Sequence, residues 1–291
     1  MDENIKLKLR QTLSLIGLML LSLTVLMVAL CVVPIGSDLS VEMLKLLQLL
    51  QSIVIFILPA LFWSKLYTGS LLKGLYLLNK PKMKDVWIVI VLMFVAVPAI
   101  NLMGYLNSQI EFPAFMADME KWMQQLEQNA KELTFKLLGG TCVGDFFFNL
   151  FVIALIPALG EEMTFRGVLI QIFSSNNRKN KASYPHIAVW TCAVIFSLIH
   201  FQFYGFVPRM LIGALFGYLL CYSGSLWLPI VAHFTNNAIV VATSYIYQIS
   251  TNKPLSEMKD LGTEHTWWIG LICFILASLG FYLLLTPKKN E

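Results

Sequence analysis

The chain has 291 residues, 57% of them hydrophobic and only 13% charged. A soluble domain carries about 25% charged residues, so this composition excludes an ordinary globular protein and points to a polytopic membrane protein. The apolar runs are far longer than the ~10-residue strands of a membrane barrel, which makes it helical, and the net charge of +4, scattered over loops, is no footprint for nucleic acid.

The opening MDENIKLKLRQ precedes an uncharged stretch from Thr12 to Val33. It is too long for a signal-peptide core and no small-residue cleavage site follows, so it reads as a retained first span. A helix needs about 20 apolar residues to cross the hydrocarbon core. Eight segments reach that scale: 12–33, 46–64, 86–107, 146–172, 185–204, 207–223, 226–248 and 266–286. Only the turn Tyr222–Ser225 separates the sixth from the seventh. Pro34, Pro113, Pro185 and Pro287 sit near boundaries, whereas Pro59, Pro98 and Pro157 fall inside spans and are expected to kink them.

The expected fold is therefore all-α: a polytopic helical membrane protein of about eight transmembrane helices, one integral domain over residues 1–291, without internal repeats. Lys/Arg bias orients it. One face collects Lys6, Lys8, Arg10, Lys65, Lys73, Lys80, Lys82, Lys84, Arg178, Lys179, Lys181, Lys288 and Lys289. The other holds Lys45, Lys121, Lys131, Lys136, Arg209, Lys253 and Lys259, mostly mixed with acids. The richer face should be cytoplasmic, with both termini there, in a multi-pass protein of the cell membrane.

One connection is patterned. Residues 113–138 place Phe115, Met119, Trp122, Leu126, Leu133 and Leu137 at helical spacing with polar residues opposite, and Gly139-Gly140 ends the run. This predicts an amphipathic helix lying on the outer surface of the bilayer. The five cysteines (Cys31, Cys142, Cys192, Cys221, Cys273) stand singly and suggest neither disulfides nor a thiolate metal site.

Well inside the spans, charge is confined to Glu161, Glu162 and Arg166. His200 and His233 join them, while His186 and His265 read as boundary or loop residues. At 1.5 Å per helical residue, Glu161 and His200 fall about 20 Å from the basic end of their spans, and His233 and Asn237 at ~10–17 Å. Three helices thus bring polar groups to one layer. Glu162 and Arg166 are four apart and can pair, as His233 and Asn237 can point at one spot. Glu161 is turned about 100° from Glu162 and is free to face a cavity. Intramembrane ionisable residues are functional candidates.

No HExxH or GxSxG occurs, and the paired aspartates of an intramembrane aspartyl protease are missing. The remaining inventory suits water-mediated hydrolysis of a carbonyl compound: a carboxylate and a histidine to deprotonate water, and a second histidine and an amide to donate hydrogen bonds. The competing class is a membrane scaffold, immunity protein or transporter whose polar cluster binds a solute. A transporter would more often show repeat symmetry.

In order along the chain, EEMTFR (Glu161–Arg166), FSLIH (Phe196–His200) and HFTNN (His233–Asn237) resemble the EExxxR, FxxxH and HxxxN signature of the CPBP family of intramembrane proteases. That family includes the type II CAAX prenyl endopeptidases, the bacterial Abi proteins and the lysostaphin-resistance-type proteins. The resemblance covers roughly residues 145–248 as a catalytic core; the N-terminal part carries no matching signature. It implies Glu161 as the base that activates water with His200 as partner, His233 and Asn237 as the oxyanion hole, and Glu162 and Arg166 shaping the site from behind. It implies a membrane-associated protein or peptide as substrate. Glu161, His200 and His233 could also form a zinc site, but Arg166, four residues from Glu162, competes with a cation there, so no cofactor is favoured.

Overall fold

The computed structural model describes residues 3–32, 39–174 and 185–286. Pro34, Arg178, Lys179, Lys181, Pro287, Lys288 and Lys289 lie outside the described residues. We label the main helices α1 (Glu3–Val32), α2 (Val41–Thr68), α3 (Met83–Ser108), α4 (Ala117–Leu138), α5 (Val143–Phe173), α6 (His186–Leu198), α7 (Phe206–Ser223), α8 (Trp227–Thr251) and α9 (Trp267–Leu285). Among the described residues there is no strand, and the protein is a polytopic helical membrane protein.

Among the described residues, six stretches are long and apolar enough to cross a membrane: Ile5–Val28, α2, α3, α5, α7 and Glu264–Leu285. Two of the eight expected spans do not qualify. The 25 residues of α8 are long enough, but His233, Asn236, Asn237 and a series of hydroxyls dilute its apolarity. The expected span 185–204 ends as a helix at Leu198, after 13 residues. Phe201 turns left-handed at φ 51°, and His200 stands on the turn that follows α6 rather than within a continuous helix.

Packing concentrates around the C-terminal helices. One core joins α2, α5, α6 and α7 through Trp63, Met163, Val168, Val189 and Ala214. A second joins α3, α7, α8 and α9 through Met93, Phe216, Leu219, Leu228 and Phe281. The apolar residues of α1 are largely exposed, Leu20, Leu21 and Val25 among them, as expected where lipid is the solvent.

Proline acts differently from simple kinking. Pro59 and Pro157 each sit in the first turn after a π-helical stretch, Ser52–Ile57 in α2 and Leu150–Leu155 in α5. A second π stretch, Met163–Leu169, follows Glu161 and Glu162 immediately, so the two carboxylates lie between two widened turns. Such turns recur at functional sites because they re-aim side chains. Pro98 lies inside α3.

The amphipathic helix forms as α4, with Met119, Trp122 and Leu133 exposed and Met123, Leu137 and Leu138 buried, and Phe115 is exposed in the 3-10 turn just before it. Its C-terminal end is pinned. Leu138 O accepts from Asn149 Nδ2 at 3.4 Å and from Gln248 Nε2 at 3.3 Å. Gly139 O accepts from Lys45 Nζ at 3.5 Å. Lys45, expected among the solvated loop charges, is instead buried, its ammonium 5.8 Å over the Phe148 ring.

Candidate active site

Glu162 and Arg166 are four apart on α5, and both are sealed from solvent, at 0% and 1% exposure. Arg166 Nη1 donates to Glu162 Oε1 at 2.7 Å, and Nη2 donates to Gly213 O of α7 at 2.8 Å. Gly213 matters here: a Cβ would stand 3.2 Å from the Phe196 ring and 3.3 Å from Arg166 Nη2. Aromatic faces of Phe196, Phe216 and Phe165 surround the guanidinium carbon at 4.6, 5.4 and 5.9 Å. These contacts offset part of the cost of burying the charge. Glu162 Oε2 and Arg166 Nε are buried without hydrogen-bond partners among the described residues.

The same Glu162 Oε1 lies 2.8 Å from His233 Nδ1 on α8. A carboxylate only accepts, so Nδ1 carries the proton and donates. Phe216 stacks on the ring at 5.3 Å and fixes its plane. The outward nitrogen, Nε2, then stands 3.9 Å from Glu161 Oε2. Two acceptors facing each other at that spacing call for a proton or a small hydrogen-bonding molecule between them.

Glu161 keeps 15% of its side chain exposed on the wall of a cavity of about 1290 Å³ that it shares with His200, His233 and Asn237. His200 Nδ1 donates to Phe196 O at 2.7 Å, which leaves Nε2 as an acceptor. Asn237 Nδ2 donates to Ile153 O at 3.3 Å; Pro157, four residues after Ile153, has no N–H to offer that carbonyl. Asn237 Oδ1 accepts from Asn236 Nδ2 at 3.2 Å. One amide N–H of Asn237 is thus left for a ligand.

All six predicted residues therefore gather in one region, four on the cavity and two behind it. The ring within ion-pair reach of Glu161 is His233, whereas the motifs pointed to His200 as its partner. Sequence reasoning missed Arg209, Glu127 and Lys131, which also line the cavity. Arg209 had been counted as a loop charge, although a cation three residues into the apolar run of α7 was a usable signal. Glu127 and Lys131 come from α4, so the surface helix walls the cavity. Nothing in their spacing announced that.

Among the described residues no three His, Cys, Asp or Glu side chains are grouped so as to hold a metal ion. Glu162 Oε1 is already engaged by a guanidinium and an imidazole, so that oxygen is not available to a cation.

Residues 143–239 match the family model of Rce1-like type II CAAX prenyl endopeptidases, a segment that contains all three motifs. The uncharacterized protein YpbD of Bacillus subtilis (strain 168) is 30% identical over 95 residues, covering 31% of this chain and 43% of that protein. The chain thus spans less than half the length of this curated relative. No solved structure matches it.

Proposed function

We propose that this chain is an intramembrane endopeptidase that hydrolyses a peptide bond of a membrane-associated protein or peptide, without a covalent acyl-enzyme. The observation that carries the reading is the pair of cavity-facing acceptors, Glu161 Oε2 and His233 Nε2, at 3.9 Å. They share the cavity wall with a third acceptor, His200 Nε2, and a spare amide donor, Asn237. A water among these groups has its protons accepted and its lone pair free. As the water oxygen attacks the scissile carbonyl carbon, Glu161 takes a proton. The oxyanion meets the free N–H of Asn237, and His233 Nε2 once it holds the proton passed on from Glu161. That proton then goes to the leaving nitrogen as the C–N bond breaks, giving an amine and a carboxylic acid, which ionises by passing its proton to the amine. No Ser or Cys nucleophile is needed.

The cavity supports an extended chain rather than a compact solute, being larger than the roughly 300–1,000 Å³ of small-molecule sites. With α4 and the segment from Lys253 to Glu264 as its rim, it opens on the face we assign to the outside. We assign both termini to the cytoplasm on the Lys/Arg bias. Labelling of introduced cysteines that put residues 80–84 and Lys121 on the same side of the membrane would overturn that assignment.

The deciding experiment incubates the purified protein in detergent with a peptide library, wild type against Glu161→Ala. Cleavage by the wild type alone is expected. Solute binding without cleavage would favour a transporter or scaffold instead. Activity that vanished in a zinc chelator and returned only with added metal would sink the role of Glu161 as a free base.

A further inference from the structure

His200 stands on a short, costly turn. Phe201, the next residue, has φ 51°, a conformation that non-glycine residues hold only where their surroundings over-determine it. The Phe201 side chain does not do the holding, being 59% exposed. The last turn of α6 loosens just before it, with His200 N donating to Ser197 O at 3.4 Å and Phe201 N to Leu198 O at 3.1 Å.

The restraint comes from outside the turn. Asn107, in the last turn of α3, is 9% exposed. Its Nδ2 donates to Phe203 O at 2.8 Å and to Tyr204 O at 2.5 Å. Both partners are carbonyls, which can only accept, so the amide orientation is fixed by the pairing itself. From α7, Arg209 Nη2 donates to Gln202 Oε1 at 2.5 Å. Ser197 Oγ closes the loop on Phe206 O at 2.7 Å. Between His200 and α7, the backbone is therefore clamped at successive carbonyls, and α3 supplies the buried clamp.

The geometry points to Asn107 as a positioning residue for His200, one that lies outside the family-matched segment 143–239. It acts by tying the strained turn to α3 so that His200 Nε2 keeps its aim into the cavity. A bound geometry tolerates little drift: a misplacement of about 1 Å can cost about 10²-fold in rate. The catalytic meaning of this role rests on the protease reading, while the positioning of the ring does not.

The test therefore carries two readouts in the full chain. One is kcat and KM for a peptide the wild type cleaves. The other is the rate at which diethyl pyrocarbonate modifies His200, read by peptide mass spectrometry against the exposed His265. Asn107→Leu is expected to lower kcat about 10²-fold, with KM changed by less than about twofold. It should also shift the His200 rate severalfold relative to His265. Asn107→Gln, which keeps both donors on a longer arm, should recover part of each. Unchanged reactivity of His200 overturns the proposal, whether or not cleavage falls. If the wild type cleaves nothing yet His200 reactivity still answers to Asn107, the protease reading fails and the positioning role stands. Should Asn107→Leu not fold, Asn107→Ala removes both donors with no added bulk and is judged by the same two measurements.

Discussion

Glu161 and Glu162 are neighbours on one helix and inhabit opposite surroundings. Glu162 is fully buried, with one oxygen shared by Arg166 and His233. Glu161 looks into a large cavity, and among the described residues it has within ion-pair reach only the far nitrogen of the same imidazole. A rotation of about 100° per residue is enough to separate the two fates. The sealed carboxylate is matched to a cation and holds α5, α7 and α8 in register. The cavity carboxylate keeps its lone pairs uncommitted, as a base must. One imidazole touches both regions, so the sealed pair sets the tautomer that the cavity uses.

The largest effect should come from the cavity side. Glu161→Gln keeps the shape and removes the base, and is expected to cut cleavage by about 10²–10⁴-fold while the melting temperature barely moves. Peptide cleavage and thermal unfolding on the same preparation check this. A fully active Glu161→Gln protein would erase the distinction between the two glutamates.

The sealed side should answer in stability. Arg166→Ala strands a buried carboxylate, which typically costs 3–5 kcal/mol. His233 Nδ1 still donates to Glu162 Oε1, but Oε2 has no hydrogen-bond partner among the described residues and no cation is left beside the carboxylate. The variant should unfold at clearly lower temperature or denaturant, and lose activity as a consequence. A well-folded, fully active Arg166→Ala protein would show that the pair is not structural.

Asn237 stands between the regions, since one N–H caps the Ile153 carbonyl and the other faces the cavity. Asn237→Ala should lower kcat by about 10²–10³-fold if the second N–H meets the oxyanion. It should also reduce stability slightly through the uncapped carbonyl. Loss of stability with kcat intact would confine Asn237 to capping.

Much of this was legible in the sequence for a simple reason. Charges and histidines in an apolar chain are conspicuous, and their four-residue spacings on helices state which can meet. The pairing of Glu162 with Arg166 and the gathering of three motifs needed nothing more. What escaped was set by tertiary geometry. The span 185–204 carries no glycine or proline between His186 and Phe201, so nothing local revealed that the helix stops at Leu198 and that His200 rides a strained turn. Asn107 looked like one polar residue near a span end, and its two carbonyl partners lie nearly a hundred positions away. The period of residues 113–138 identified an amphipathic helix, but periodicity names the apolar face without saying which polar residues overhang a cavity.

The smallest expected effect belongs to a third carboxylate, Glu127 on α4, and it separates burial from pairing. Glu127 lines the cavity half-buried, and Oε2 has no hydrogen-bond partner among the described residues. Burial raises its pKa above the ordinary 4.5; Arg209, the Tyr204 backbone and Lys131 pull the other way without reversing it. A raised folded-state pKa means the native state binds more protons than the unfolded chain in the interval between the two values. Stability must therefore fall as pH rises through the interval that starts near 4.5 and stay lower above it. Glu127→Gln removes the titrating group and nearly keeps the shape. Relative to wild type, its melting temperature should be slightly higher near pH 8, and that advantage should vanish near pH 3, well below the ordinary 4.5, where wild-type Glu127 is protonated in both states. An advantage that instead grew on acidification would mean that attraction to Arg209 and Lys131 outweighs burial. Glu127 would then resemble the paired Glu162 more than the open Glu161.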